Sequence, residues 1–159
     1  MALSEPVGPT AALADRVREV RDRRGLTAAQ LAERLKAQGL AWDRTTVVKL
    51  ENGKRQNVTV VELLALAVVL QVAPVHLLVP PLPSPEWGAG GNEPNDAGAY
   101  QVTPSRTEPM YLVRRFIRGE TPLPTMDERA FYSEIPPQEF SPLLGGGGSS
   151  GESGEAPER

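Results

Sequence analysis

Apolar residues in the first half of the chain recur at intervals of three and four, the spacing of one face of an α-helix. Over Ala11 to Arg24, Leu13, Val17 and Val20 fall on one stripe with Ala14 beside it. Gly25 follows, a residue free to take the left-handed conformation that ends helices. Arg16, Arg18, Arg21 and Arg23, interleaved with Asp15, Glu19 and Asp22, read as the solvated face of this helix. A second helix opens at Leu26-Thr27-Ala28-Ala29-Gln30-Leu31. There Thr27 and Gln30 have the spacing of a capping box, and Leu26 and Leu31 that of the hydrophobic staple across it. The pattern predicts a run through Ala32 and Leu35 to Gln38, with a stop at Gly39.

Trp42-Asp43-Arg44-Thr45-Thr46-Val47 repeats that start: Asp43 caps, and Trp42 and Val47 form the staple. The helix is short and ends near Glu51-Asn52-Gly53, with Val47 and Leu50 inward and Arg44, Thr45, Val48 and Lys49 outward. Val58-Thr59-Val60-Val61-Glu62-Leu63 is the next start, again box plus staple. The helix it opens, Val60 to Leu70, is apolar nearly all round and is expected to be the buried central one. Pro74 belongs in the first turn of a last short helix that ends at Leu77, Leu78 and Val79. Those three residues either join the core or form a dimer contact, and His76 reads as a surface residue of that helix.

From residue 80 onward the pattern changes. This stretch holds 13 of the 16 prolines and 11 of the 15 glycines, a density at which chains lack the apolar surface to offset ordering entropy. The expected fold class is therefore all-α: a five-helix domain followed by a largely disordered Pro/Gly-rich acidic tail. The expected divisions are a flexible N-terminus (1–9), the helical domain (10–80), a Pro/Gly-rich linker (81–108), a partly ordered segment (109–144) and a Gly/Ser/Glu tail (145–159). Within 109–144, Leu112, Val113, Phe116 and Ile117 form a stripe opposed by Arg114, Arg115 and Arg118, between Pro109 and Gly119. Two or three turns are too few to be stable alone. This segment either packs back on the helical domain, forms a small unit with Phe131, Tyr132, Phe140 and Leu143, or docks a protein partner through 109–143.

Charge divides at the same point. Residues 10–79 carry 11 basic and 7 acidic side chains, residues 80–159 carry 6 and 12, and the whole chain has a formal charge of −3. A basic domain on an acidic extension suits a polyanion-binding module. No cysteine and a single histidine leave no thiolate nucleophile, no Cys/His metal site and little for acid–base catalysis, so neither catalytic nor metal-binding residues nor a cofactor are expected. The Gly145–Gly148 run follows no strand and precedes no helix, so it is no phosphate loop. Residues 1–25 lack a secretory pattern, and the longest apolar run is broken by Glu62, Gln71, Pro74 and His76. These features predict a soluble cytoplasmic, nucleoid-associated protein that is neither an enzyme nor a membrane protein.

The order LTAAQLAERL, then TTVVKLENGKR, then VTVVELLALAVVLQVAPVHLL resembles the Cro/lambda-repressor-like, XRE-type helix-turn-helix family over about residues 11–79. That resemblance implies five α-helices, the second lying across a DNA backbone and the third, about 44–51, in the major groove. Arg44, Thr45 and Lys49 match the family's base-reading positions; Asn52, Lys54 and Arg55 match the loop that meets phosphate, to which Thr46 is added. The chemistry agrees: an arginine fork suits guanine O6 and N7, and threonine offers a methyl to thymine and a hydroxyl to phosphate. Asp43, at the start of the same helix, either caps or accepts from a cytosine amine.

Three positions depart from the family pattern. Ala28 stands where glutamine usually begins the second helix, and Gln30 is read as a cap. The connection Ala37 to Trp42 is longer than the usual tight turn, with Trp42 read as packing that steadies it and a base or sugar contact as the alternative. Gln71 replaces a customary glycine, where a left-handed conformation costs on the order of 1 kcal/mol. The expected function is a sequence-specific DNA-binding transcriptional regulator with double-stranded DNA and a second copy as partners. The alternative is a protein-interaction adapter that uses the helical domain as scaffold and 109–143 as its docking segment.

Overall fold

Three successive helices of the first half begin on side-chain caps. In this computed structural model, which describes residues 5–80 and 98–134, α1 (Pro9–Arg23) is followed by α2 (Ala28–Ala37), α3 (Arg44–Glu51), α4 (Val60–Leu70) and α5 (Pro74–Leu78). The Thr27 hydroxyl accepts the Gln30 N–H and the Gln30 side chain accepts the Thr27 N–H, and Thr59 and Glu62 form the same reciprocal box. Gly25 (φ +68°) and Gly39 (φ +86°) make the left-handed turns that end α1 and α2. Gln71 takes the same conformation after α4, at φ 52° and ψ 54°, without glycine's freedom to do so.

The helices close over Leu13, Val17, Val20, Leu31, Leu35, Val47, Leu50, Leu66, Leu70 and Leu77. Half-buried Leu40 and buried Trp42 also pack on this core, which anchors the long α2–α3 connection to the interior. Two expectations for the helical domain fail. Arg16 and Arg21 are not on a wet face: Arg16 is 4% exposed, with Nε donating to the His76 carbonyl and an ion pair to Glu19, and Arg21 turns inward to α3. Nor is α4 buried all round. It packs on α1, α2 and α5 through Leu66, Ala67 and Leu70 but leaves Val60, Val61, Leu64 and Val68 exposed among the described residues.

The all-α expectation is corrected by a two-stranded sheet. β1 (Ala99–Thr103) and β2 (Arg106–Pro109) pair antiparallel, with Tyr100 opposite Glu108, and α6 (Met110–Ile117) follows. The hairpin occupies the end of the stretch read as linker. Residues read as a flexible N-terminus join it: the Val7 N–H donates to Ala99 O and the Gln101 N–H to Val7 O, so Val7 runs parallel beside β1. A second apolar cluster of Ala12, Val79, Tyr100 and Val113 seals this extension onto the helical domain, with Val7, Leu78, Met110 and Ile117 around it. The Tyr100 hydroxyl donates to the Leu78 carbonyl at 2.8 Å, and burial pushes its pKa up to about 12. Arg114 donates to the Pro80 carbonyl.

The stripe of 109–117 therefore packs back on the helical domain. Leu77 and Val79, weighed as a dimer contact, are fully buried, and Leu78 packs in the second cluster. His76 is half-buried rather than a surface residue, and its Nδ1 has no hydrogen-bond partner among the described residues. Residues from Pro124 onward form a separate unit. Its α7 (Glu128–Ser133) is capped by Asp127, and the Phe131 and Tyr132 rings meet edge-on. Phe140 and Leu143, and the 145–159 tail, lie outside the described residues. Among the described residues no helix is long and apolar enough to cross a membrane.

Candidate nucleic-acid interface

The candidate surface is the outward side of α3 with the turn that follows it. Val47 and Leu50, three residues apart, are wholly buried and fix which way this short helix faces. Arg44, Thr45 and Lys49 fall on the opposite side, exposed; among the described residues their side chains make no hydrogen bond or ion pair, and the Lys49 charge helps to lower the Asp43 pKa. Asn52 and Lys54 are exposed beside them, where Gly53 (φ +67°) turns the chain and the Lys54 N–H closes the turn on Lys49 O at 2.9 Å. Four of the seven residues proposed from sequence thus bear hydrogen-bond donors on one wet edge: Arg44, Lys49, Asn52 and Lys54. Thr45 adds a hydroxyl and a methyl to the same face.

Thr46 and Arg55 are placed differently. Asp43 Oδ1 accepts both the Thr46 N–H and the Thr46 hydroxyl, each at 2.7 Å. A hydroxyl has one proton, so Thr46 has none left for a phosphate oxygen in this arrangement. Asp43 is thereby engaged as the cap, and these hydrogen bonds from Thr46 hold its carboxyl below the ordinary aspartate value. Arg55 lies with its guanidinium 4.4 Å from the centre of the Trp42 ring and pairs with Glu62. Its Nη1 is buried without a hydrogen-bond partner among the described residues.

Glu62 joins elements that the sequence leaves far apart. One carboxylate oxygen accepts from Trp42 Nε1 at 3.0 Å and from Arg55, and the other from the Thr59 N–H at 2.8 Å. Burial opposes its ionisation, but the hydrogen bonds from Thr59, Arg55 and Trp42 outweigh burial and keep its pKa below the usual glutamate range. Trp42 precedes α3 and Arg55 follows it, so one carboxylate on α4 clasps both ends of the outward-facing helix. Sequence reading found Glu62 only as half of a capping box. The available signal was that it is the single charge on an otherwise apolar helix.

A second tether holds α3 from α1. The guanidinium of Arg21 meets Glu51 through two parallel bonds, Nε to Oε1 at 2.6 Å and Nη2 to Oε2 at 3.0 Å, and Nη1 donates to the Leu26 carbonyl. Both side chains are largely buried, at 12% and 7% exposure. A bidentate pair of this kind fixes angle as well as distance, so α3 cannot roll without breaking it.

Residues 12–78 match a family model described as a helix-turn-helix domain. The restriction-modification controller protein C.AhdI from Aeromonas hydrophila is 37% identical over 43% of this chain and 94% of its own, with a TM-score of 0.37. No curated protein matches.

Proposed function

The chain belongs to the helix-turn-helix family through residues 12–78, and from that premise we propose that it is a sequence-specific DNA-binding transcriptional regulator. The observation that carries this reading is the combination at α3. The helix is fastened from behind by Arg21–Glu51 and at both ends by the Glu62 clasp, while Arg44, Thr45 and Lys49 face out with no side-chain hydrogen bond or ion pair among the described residues. Unpaired donors on a rigid short helix suit base edges in a major groove, because little further ordering is needed on contact. Asn52 and Lys54 on the following turn suit the neighbouring phosphates, and lysine there adds affinity that falls with salt. In this reading Thr46 and Arg55 are supports: Thr46 completes the Asp43 cap, and Arg55 secures the clasp.

Two copies would set their α3 helices in successive major grooves about one helical turn apart. The adapter reading draws no support from α6, whose Val113 is fully buried in the second cluster. The test is selection of bound sites from a random DNA pool by the full chain. The regulator reading expects one enriched motif with two-fold symmetry, bound more weakly as salt rises. A pool that stays random at every salt concentration sinks it.

A further inference from the structure

We propose that Val48 is a further specificity-determining residue of the α3 face, and that it reads the C5-methyl group of a pyrimidine in the major groove. Val47 and Leu50 are wholly buried and set the inward side of α3. At about 100° per residue, Thr45 points almost directly away from them, and Val48 and Lys49 flank that direction on either side. Val48 thus faces outward more directly than Arg44 does. Its neighbours one turn away are Arg44 before it and Asn52 after it, both exposed, with exposed Thr45 alongside. Val48 itself keeps part of its surface in solvent and, among the described residues, packs in neither apolar cluster.

Valine at this position serves neither the core nor the helix. A β-branched side chain is restricted against the preceding turn, and alanine or a long polar residue would favour a helix with an open face. What the position offers is two methyl groups ringed by an arginine, a threonine and an asparagine. Base edges in the major groove present hydrogen-bond donors, acceptors and one apolar group, the pyrimidine C5-methyl. Thymine and 5-methylcytosine both carry that group. A valine set among polar readers can exclude water from it while leaving no polar atom of its own unpaired, and the arginine one turn away has the fork for a neighbouring guanine. Val48 has no charge, so it adds nothing to phosphate attraction and acts on discrimination alone. This inference rests on the regulator reading and deepens it by naming a base feature that α3 selects.

For the experiment, the full chain selects sites from a random DNA pool, and the selected duplex is remade one base at a time. Each thymine is replaced by uracil, which lacks only the C5-methyl, and each cytosine by 5-methylcytosine, which gains one. Every duplex is titrated with the parent chain, Val48→Ala and Thr45→Ser. One pyrimidine position is expected to stand out in the parent: its methyl changes affinity about fourfold, the effect of one methyl removed from water. In Val48→Ala the same change is expected to shift affinity by less than about twofold, while Thr45→Ser, which loses only a methyl, keeps the parent response. A loss on uracil assigns the methyl to thymine, and a gain on 5-methylcytosine assigns it to the methylated base; either supports the proposal. Val48→Ala is expected to hold or raise its melting temperature, because alanine favours the helix. A selected site indifferent to every methyl change overturns the proposal and leaves the regulator reading standing. So does a response that persists in Val48→Ala or disappears in Thr45→Ser, which gives the methyl to another residue. A pool that stays random overturns both.

Discussion

α3 and α4 are consecutive, both start on side-chain caps, and both bury one side against the same core, yet they expose opposite chemistry. α3 shows solvent an arginine, a threonine and a lysine and is held by a bidentate ion pair and a carboxylate clasp. α4 shows solvent three valines and a leucine and is held by Leu66, Ala67 and Leu70. The polar helix needs directional tethers because its two buried apolar residues, Val47 and Leu50, set its facing but little else. The apolar helix holds its position by area, and its surplus area is what reaches solvent.

The largest expected effect removes the tether that distinguishes α3. Glu51→Ala takes both parallel bonds from the largely buried Arg21 guanidinium, leaving it Asp22 and the Leu26 carbonyl, and should cost about 2–3 kcal/mol, read by urea unfolding. A loss well under 1 kcal/mol would mean that Val47 and Leu50 alone hold α3, and the contrast with α4 would collapse. Next comes the outward face: Arg44→Ala should lose roughly 1–3 kcal/mol of binding to the selected DNA site and much less to random DNA. Lys54→Ala should weaken both alike and lower the salt slope by about one. Equal losses on both DNAs for Arg44→Ala would remove it from base reading.

Smaller effects sharpen the α4 side. Gln71→Gly relieves a left-handed residue at the end of α4 and should stabilise by about 1 kcal/mol, measured as a rise in melting temperature. An unchanged or lower value would mean that the lost backbone restriction of the unfolded chain offsets the relief. Last is the acid response of the face that the extension covers. Burial lowers the pKa of His76 below 6.5, and the charges of Arg118, Arg16 and Arg114 lower it further. Its neutral form is the one the fold favours. Stability from this group is therefore full above pH 6.5 and lost as pH falls through the depressed folded value. His76→Gln should flatten that part of the stability–pH curve, and an unaltered curve would assign the acid response elsewhere.

The helical half was readable because its signals are local. Capping boxes, staples and glycine stops act within four residues, so Thr27, Asp43, Thr59, Gly25 and Gly39 mark their boundaries without reference to the rest of the chain. The same locality made Arg44, Thr45 and Lys49 visible as an outward face. The strained Gln71 was visible too, since its backbone demand arises within one turn.

Partners distant in sequence were not readable. Arg21 and Arg55 look like exposed cations until Glu51, thirty residues away, and Glu62, seven away across a turn, engage them. Thr46 is the local exception: Asp43, three residues before it and legible as a cap, also accepts its hydroxyl, because sequence does not fix that rotamer. The hairpin was hidden by its Pro/Gly-rich surroundings, and its pairing partner Val7 lies more than ninety positions before it. By itself the sequence determined where helices begin and end and which residues of α3 lie away from its own apolar stripe, because caps and periodicity are properties of short segments. Only the tertiary structure decided which charges are buried, which apolar face is covered by the extension and which is left open on α4, because burial depends on what the rest of the chain brings alongside.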